Sequence, residues 1–189
     1  MLLILIAGCS PGPSLRSTLS DAEPLLRSGR AESALQRLQE ARVDHPHSDA
    51  LLFEIAYAQS AATEGLEDTG EAEAMFRNAH ETFLRLTEEP RGEFDASAAF
   101  NAATVLIRLD ATMENTDRYG ERVENMKLAV EALSALVDGE PSFEEAIQNL
   151  DHARYTLALL LQNPPRDDES DEEEGEDEPP ASGSSVDAV

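Results

Sequence analysis

Residues 29–46, GRAESALQRLQEARVDHP, carry the clearest structural signal in the chain. Ala34, Leu38 and Ala41 are spaced by four and then three residues, so they share one face of an α-helix. Small alanines on that face let a second helix approach closely, and the leucine fills the space beside it. A glycine opens the stretch and a proline closes it, and both residue types mark helix boundaries. The stretch therefore predicts a short helix packed against a neighbouring helix.

The same spacing recurs at two later places in the chain. The recurrences are Ala72, Phe76 and Ala79, and then Ala129, Leu133, Leu136 and Pro141. A small–large–small order with a closing proline resembles the second helix of the tetratricopeptide (TPR) repeat, a helix–turn–helix unit of about 34 residues. The resemblance implies a solenoid in which successive helix pairs stack side by side.

We therefore predict an all-α fold, a TPR-like helical-hairpin solenoid of about three helix pairs plus a C-terminal capping helix, over residues 16–162. The pattern is stretched before Ala72 and Pro90, and again across residues 110–124. A plain helical bundle is the alternative, because Ala–Leu helices with a 3.6-residue period suit both architectures. The helices are expected near residues 16–27, 31–43, 49–63, 69–89, 93–109, 119–138 and 143–162.

The N-terminus combines an apolar run with the single cysteine. Residues 2–6 are aliphatic, and two small residues lead into Cys9. This arrangement resembles the lipobox of bacterial lipoproteins, and the resemblance implies cleavage after Gly8 and lipid attachment to Cys9. We expect residues 1–9 to be a signal that is truncated or has a mis-assigned start, because no Lys or Arg precedes the apolar run, and residues 10–15 to be a tether. A frayed helical turn with a buried cysteine is the alternative.

The chain is strongly acidic, with a formal net charge of −25 from 39 acidic and 14 basic residues. Such a charge repels nucleic acids and anionic lipid surfaces, so any charged partner is expected to be basic. The alternative is that the excess of acidic residues only keeps the protein soluble. Ten of the twelve residues in 167–178 are acidic. Residues 163–189 offer few apolar side chains to offset the entropy of ordering, which predicts a disordered acidic tail. The tail is either a solvating leash or an interaction segment for a basic partner.

The sequence contains no motif that points to catalysis. It has no P-loop, no dinucleotide-binding glycine fingerprint, no nucleophile elbow and no His-Glu-Xaa-Xaa-His motif. His45 and His47 flank Pro46, an arrangement more typical of an exposed turn than of a metal site. We therefore expect no enzymatic activity, no cofactor, no metal ion and no small-molecule substrate.

Partner binding is the function that the TPR resemblance implies, because the first helices of TPR units line a concave groove that holds a peptide or helix. Core packing is the alternative role for Phe53 and Phe100. The carboxylate clamp of some TPR domains uses several Lys and Arg residues, and only Arg108 fits that role here. The corresponding groove positions are Phe53, Tyr57, Phe100, Asn101, Thr104, Arg108, Asn149, His152 and Tyr155.

The C-terminal part also resembles the TPR component of Bat aerotolerance operons. The similarity rests on Asn-Leu-Xaa-Xaa-Ala-Arg at residues 149–154, followed by the acidic tail. It implies an envelope protein that acts beside von Willebrand A-domain partners. We therefore expect a lipid-anchored, periplasm-facing scaffold that binds another envelope protein or peptide segment. An accessory lipoprotein of outer-membrane assembly or secretion is the second hypothesis, and a periplasmic enzyme or ligand-binding protein is the third.

Overall fold

The computed structural model describes residues 14–64, 66, 68–88, 95–113 and 118–165. Within these ranges the chain is all-helical, as predicted, and contains no strand. Cys9, the rest of the expected signal and residues 166–189 of the expected tail lie outside the described residues. The helices are α1 (Leu15–Arg27), α2 (Ala31–Arg42), α3 (Asp49–Ala62), α4 (Thr69–Glu88), α5 (Asp95–Thr112), α6 (Tyr119–Gly139) and α7 (Glu144–Gln162).

Local hydrogen bonds set the ends of the first helices. Ser48 Oγ accepts a hydrogen bond of 3.3 Å from the Leu51 N–H, and this cap starts α3. Gly29 joins α1 to α2 with a φ of 71°, in the left-handed region that glycine adopts without steric cost. Beyond it, the Arg30 N–H turns back and donates to the Leu25 carbonyl O at 2.9 Å. The α1–α2 hairpin is therefore closed by the glycine that opens the repeat pattern.

The small–large–small positions of the sequence pattern form the core. One cluster of buried side chains joins α1, α2 and α3, and a larger cluster runs from α3 to α7. Leu136 is partly buried against the larger cluster. The pattern residues that are buried include Ala34, Leu38, Ala41, Ala72, Phe76, Ala79, Ala129 and Leu133.

The helices pack in chain order. Each helix contacts the next one along the chain, and contacts also join α1 to α3, α3 to α5, and α5 to α7. Among the described residues, the backbones of α2, α4 and α6 do not approach one another, although the side chains of Arg77 on α4 and Glu121 on α6 form an ion pair. The odd-numbered helices therefore approach one another on one side of the molecule, while the even-numbered helices are separated on the other side.

Ion pairs fix the connection between α5 and α6. The buried carboxylate of Asp110 accepts hydrogen bonds from Arg122 Nε at 2.8 Å and from Arg122 Nη2 at 3.0 Å. Nearby, Arg118 Nη1 lies 2.6 Å from a Glu73 carboxylate oxygen and links the start of α6 to α4. α5 ends at Thr112, just beyond the end expected near residue 109, and the bidentate Asp110–Arg122 pair lies in this last turn.

Candidate functional site

The nine predicted groove residues all lie on α3, α5 and α7, and two side-chain bridges connect these helices. Arg108 Nη1 on α5 donates to Ser60 Oγ on α3 at 3.0 Å. Asn149 Nδ2 on α7 donates to Thr104 Oγ1 on α5 at 2.9 Å. Thr104 and Arg108 are one helical turn apart, so both bridges lie on the same side of α5. This surface, formed by α3, α5 and α7 on the side of Thr104, Arg108 and Asn149, is referred to below as the odd-helix face.

Arg108 is held by several contacts at once. Its Nη2 lies 3.2 Å from Glu64 Oε1, and its guanidinium carbon lies 5.1 Å from the centroid of the Phe76 ring. The second contact is a cation–π interaction, which favours a guanidinium held over the ring face. Together with the bond to Ser60, these contacts use the guanidinium to join α3, α4 and α5. The side chain thus serves packing between helices rather than an open carboxylate clamp.

The two phenylalanines of the predicted groove take part in core packing. The Phe53 ring packs edge-on against Phe83, with ring centroids 5.3 Å apart. The Phe100 ring lies 4.9 Å from Phe143, which precedes α7. Both residues are partly buried against the larger hydrophobic cluster. Their contacts match the alternative role given to them from the sequence.

Three of the predicted residues present their side chains to solvent. The exposed fractions are 45% for Tyr57 and 64% for Tyr155, and His152 is also exposed. Asn101 donates from Nδ2 to the Ser97 carbonyl O at 2.8 Å, within its own helix. An exposed aromatic ring is a common anchor for a protein partner, so Tyr57 and Tyr155 are the strongest contact candidates.

Tyr57 lines a cleft of about 560 Å³ between α3 and the α1–α2 hairpin. The wall opposite the tyrosine comes from the end of α1 and the first turn of α2, and the α3 side also carries Glu64. The volume is that of a small-ligand or side-chain pocket. The lining residues are Leu26, Gly29, Arg30, Ala31, Glu32, Ser33, Tyr57, Ala61, Ala62 and Glu64.

The ionised form of Glu54, a carboxylate close to Tyr57, is energetically unfavourable in the folded chain. Glu54 lies three residues before Tyr57, so the two side chains share a face of α3. Burial raises the pKa of Glu54 above its usual value, and the negative charge of Glu23 on α1 raises it further. Glu23 is itself paired with Arg27, whereas a positive group from a partner would stabilise the ionised form of Glu54. The sequence prediction missed Glu54, although it is an acid within the apolar run LLFEIAYA of residues 51–58.

The motif at residues 149–154 is divided between packing and surface contacts. Leu150 and Ala153 are buried in the larger cluster. Arg154 Nη2 lies 3.4 Å from Ser134 Oγ on α6. Only Asn149 of this motif takes part in the odd-helix face, through its bond to Thr104. The motif therefore describes how α7 packs onto α5 and α6.

A second cleft opens on the opposite side of α3, between α2 and α4. It has a volume of about 220 Å³ and is lined by His47 together with Arg42 and Arg85.

In the part of the chain that the structure describes, no group of three or more His, Cys, Asp or Glu residues is placed to hold a metal ion. In that same part, no helix has the length and apolar character required to cross a membrane.

A scan of the sequence against protein-family models finds no match, and a search of curated protein sequences finds no significant match.

Proposed function

We propose that the chain is a TPR-like helical-hairpin scaffold that binds another polypeptide on its odd-helix face. The observation that carries this proposal is the asymmetry of the helix contacts. The backbone of each odd-numbered helix approaches that of the next odd-numbered helix, whereas the backbones of the described even-numbered helices do not approach one another. When stacked helix pairs approach more closely on one side, the stack curves toward that side. A concave surface lined by α1, α3, α5 and α7 is the expected result.

The chemistry of this surface suits a polypeptide with basic residues. Tyr57 offers a half-exposed aromatic ring beside its cleft. Glu54 supplies negative charge there, and burial, with a smaller effect of Glu23, raises its pKa. Glu23 is itself paired with Arg27, so the poorly stabilised charge in the free protein is that of Glu54. A Lys or Arg of the partner would gain a charged contact with Glu54 and stabilise its ionised form. The net charge of −25 would speed the approach of such a partner.

The lipobox resemblance extends the proposal to the location of the scaffold. Lipid attached to Cys9 would hold the chain at a bacterial membrane, and residues 10–15 would space the helices from the surface. The scaffold would then face the periplasm and recruit another envelope protein, the arrangement that the resemblance to Bat-type TPR components also implies.

Affinity purification with matched surface variants tests the proposal. The full chain is purified from detergent-solubilised membranes of its own cells as wild type, Tyr57→Ala and Val43→Ala. Val43 is 82% exposed in the turn after α2 and is the control for a general loss of exposed apolar surface. We expect one protein to copurify with the wild type and with Val43→Ala, and to be lost with Tyr57→Ala. Equal recovery with all three variants, or no copurifying protein, would contradict partner binding at Tyr57.

A further inference from the structure

An apolar groove lies between α4 and α6, with α5 as its floor. Both helices pack on α5, and their backbones do not approach each other within the described residues. Their described side chains meet N-terminal to the groove, where Arg77 of α4 pairs with Glu121 of α6. The space left between them has a volume of about 410 Å³. It is referred to below as the alanine groove, and its lining residues are His80, Leu84, Thr87, Ala99, Ala102, Ala103, Leu106, Leu128, Glu131, Ala132 and Ala135.

The walls and floor of the alanine groove are shaped for an apolar partner. Leu84 on α4 and Leu128 on α6 are 44% and 43% exposed, and they stand on opposite walls. Between them the floor is built from the small side chains of Ala99 and Ala102. Paired exposed leucines above a small-residue floor form a continuous apolar surface, whereas single exposed apolar residues are common and need no explanation. The small floor also lets the backbone of a docked helix come close.

The alanine groove and the odd-helix face are on opposite sides of α5. Thr104 and Arg108 mark the odd-helix face. Ala102 and Leu106, each two residues earlier, line the groove. Because successive residues of an α-helix turn by about 100°, a shift of two residues is a rotation of about 200°. The alanine groove is therefore a separate surface from the one in the proposed function.

Acidic side chains surround both exposed leucines. Glu81 and Glu88 lie within about one helical turn of Leu84, and Glu124 and Glu131 lie within about one turn of Leu128. All four are exposed, and Glu131 itself lines the groove.

Cations close to the groove are few. Lys127 Nζ lies 3.7 Å from Glu124 Oε2 and is paired with it, and Arg77 is paired with Glu121. Arg85 lines the neighbouring cleft between α2 and α4. The His80 ring Nδ1 lies 3.1 Å from the Ala102 carbonyl O. Burial lowers the pKa of His80, so its ring adds no positive charge at pH 7. The apolar groove thus has a negatively charged rim.

We propose that the alanine groove docks an amphipathic helix of a partner protein, with Leu-type side chains entering between Leu84 and Leu128 and Lys or Arg residues facing the acidic rim. Helices that lie in apolar grooves use this division between apolar anchors and flanking charges. Burial of the two leucines supplies the contact energy, and the rim selects basic helices over acidic ones. This proposal stands independently of the odd-helix face.

A defined peptide tests the groove without knowledge of the natural partner. The probe is a fluorescein-labelled amphipathic helix of about 18 residues, made of Leu and Lys, which is longer than the part of α4 between His80 and Thr87 that lines the groove. Its binding to the full chain is followed by fluorescence anisotropy at physiological ionic strength. The same peptide with Glu in place of Lys measures charge selection.

Two matched double variants locate the contact. We expect L84A/L128A to weaken binding of the Leu/Lys peptide about tenfold, as the loss of central apolar anchors does in other interfaces. L159A/L161A removes two leucines that are 41% and 56% exposed on α7, and it should leave the affinity unchanged. Circular dichroism checks that all variants remain helical.

A single charge variant completes the test. E131Q is expected to weaken binding about threefold, while E140Q, beyond the end of α6, has no effect. Equal losses in L84A/L128A and L159A/L161A, or equal binding of the Leu/Glu peptide, would refute a specific groove. A dimer of the chain that L84A/L128A abolishes in sedimentation equilibrium would overturn the proposal by assigning the groove to a second copy.

Discussion

Replacing glycine by alanine at two positions should change stability in opposite directions. Gly29 has a φ of 71°, and a Cβ added to it would meet no atom within 4 Å. Alanine at this position therefore suffers no clash, and its whole cost is the backbone conformation, about 1–2 kcal/mol. Gly120 lies in the first turn of α6, where an added Cβ also meets open space. There alanine should gain about 0.5–1 kcal/mol, because it loses less backbone entropy on folding.

Urea denaturation followed by circular dichroism measures both effects. We expect the midpoint to fall for Gly29→Ala and to rise for Gly120→Ala, with the dependence on urea concentration unchanged. In thermal melts the same energies correspond to about 2–4 °C per kcal/mol for a chain of this size. Gly29→Asn should be milder than Gly29→Ala, since asparagine tolerates the left-handed region better. A neutral or stabilising Gly29→Ala would show that the α1–α2 hairpin does not close through a left-handed glycine.

Four further predictions follow from burial, charge and the N-terminal pattern. Leu133→Ala removes a fully buried side chain of α6 and should lower the free energy of unfolding by about 2–5 kcal/mol in denaturation experiments. The matched variant Leu161→Ala, at a position that is 56% exposed, should lower it little, and similar losses in both variants would mean that the core is misplaced. Glu54→Gln should raise Tm at pH 7, because the carboxylate has a raised pKa in the folded state and its ionised form destabilises the fold. The gain should shrink as the pH falls through this raised folded-state pKa and be absent below the usual carboxyl pKa; a lower Tm at pH 7 would contradict the cost assigned to its charge. Cys9→Ala should abolish palmitate labelling in cells, and equal labelling of the variant would end the lipid-anchor hypothesis. Removal of residues 166–189 should leave Tm almost unchanged, and a large drop would show that the tail packs on the helices.

The fold class and much of the core could be predicted because the spacing of small and large apolar residues indicates both the helices and their buried faces. Ala34, Leu38 and Ala41 share a helix face, and that face is buried against the neighbouring helices. A face that repeats small and large residues with a fixed spacing has few other uses than helix packing. Gly29 was informative for a similar reason, since a glycine before such a helix suits a tight left-handed turn.

The functional surface was harder to predict, because the roles of its residues depend on other helices. Phe53 and Phe100 have the character of groove aromatics in the sequence, yet their rings pack against Phe83 and Phe143. The sequence suggests that the charge of Arg108 is free to bind a partner, but the guanidinium contacts Ser60 on α3, Glu64 just after α3 and Phe76 on α4. No local sequence pattern indicates contacts between residues so far apart, and these contacts determine whether a side chain is exposed.

The alanine groove was missed for a related physical reason. Leu84 and Leu128 belong to ordinary amphipathic helices, and leucine at such positions is usually buried. Their exposure arises because α4 and α6 are held apart by α5. The distance between non-adjacent helices depends on how the helix pairs stack, and the residue pattern of a single helix does not predict that stacking.

Site-specific photo-crosslinking is the most direct test of a polypeptide-binding odd-helix face. The photoreactive residue p-benzoylphenylalanine replaces Tyr57 in one variant and the exposed Val43 in another, and both full-length variants are irradiated in their own cells. We predict a discrete covalent adduct with one other protein from position 57 and none from position 43. The absence of an adduct at position 57, or the same adduct from both positions, would contradict binding of a partner on that face.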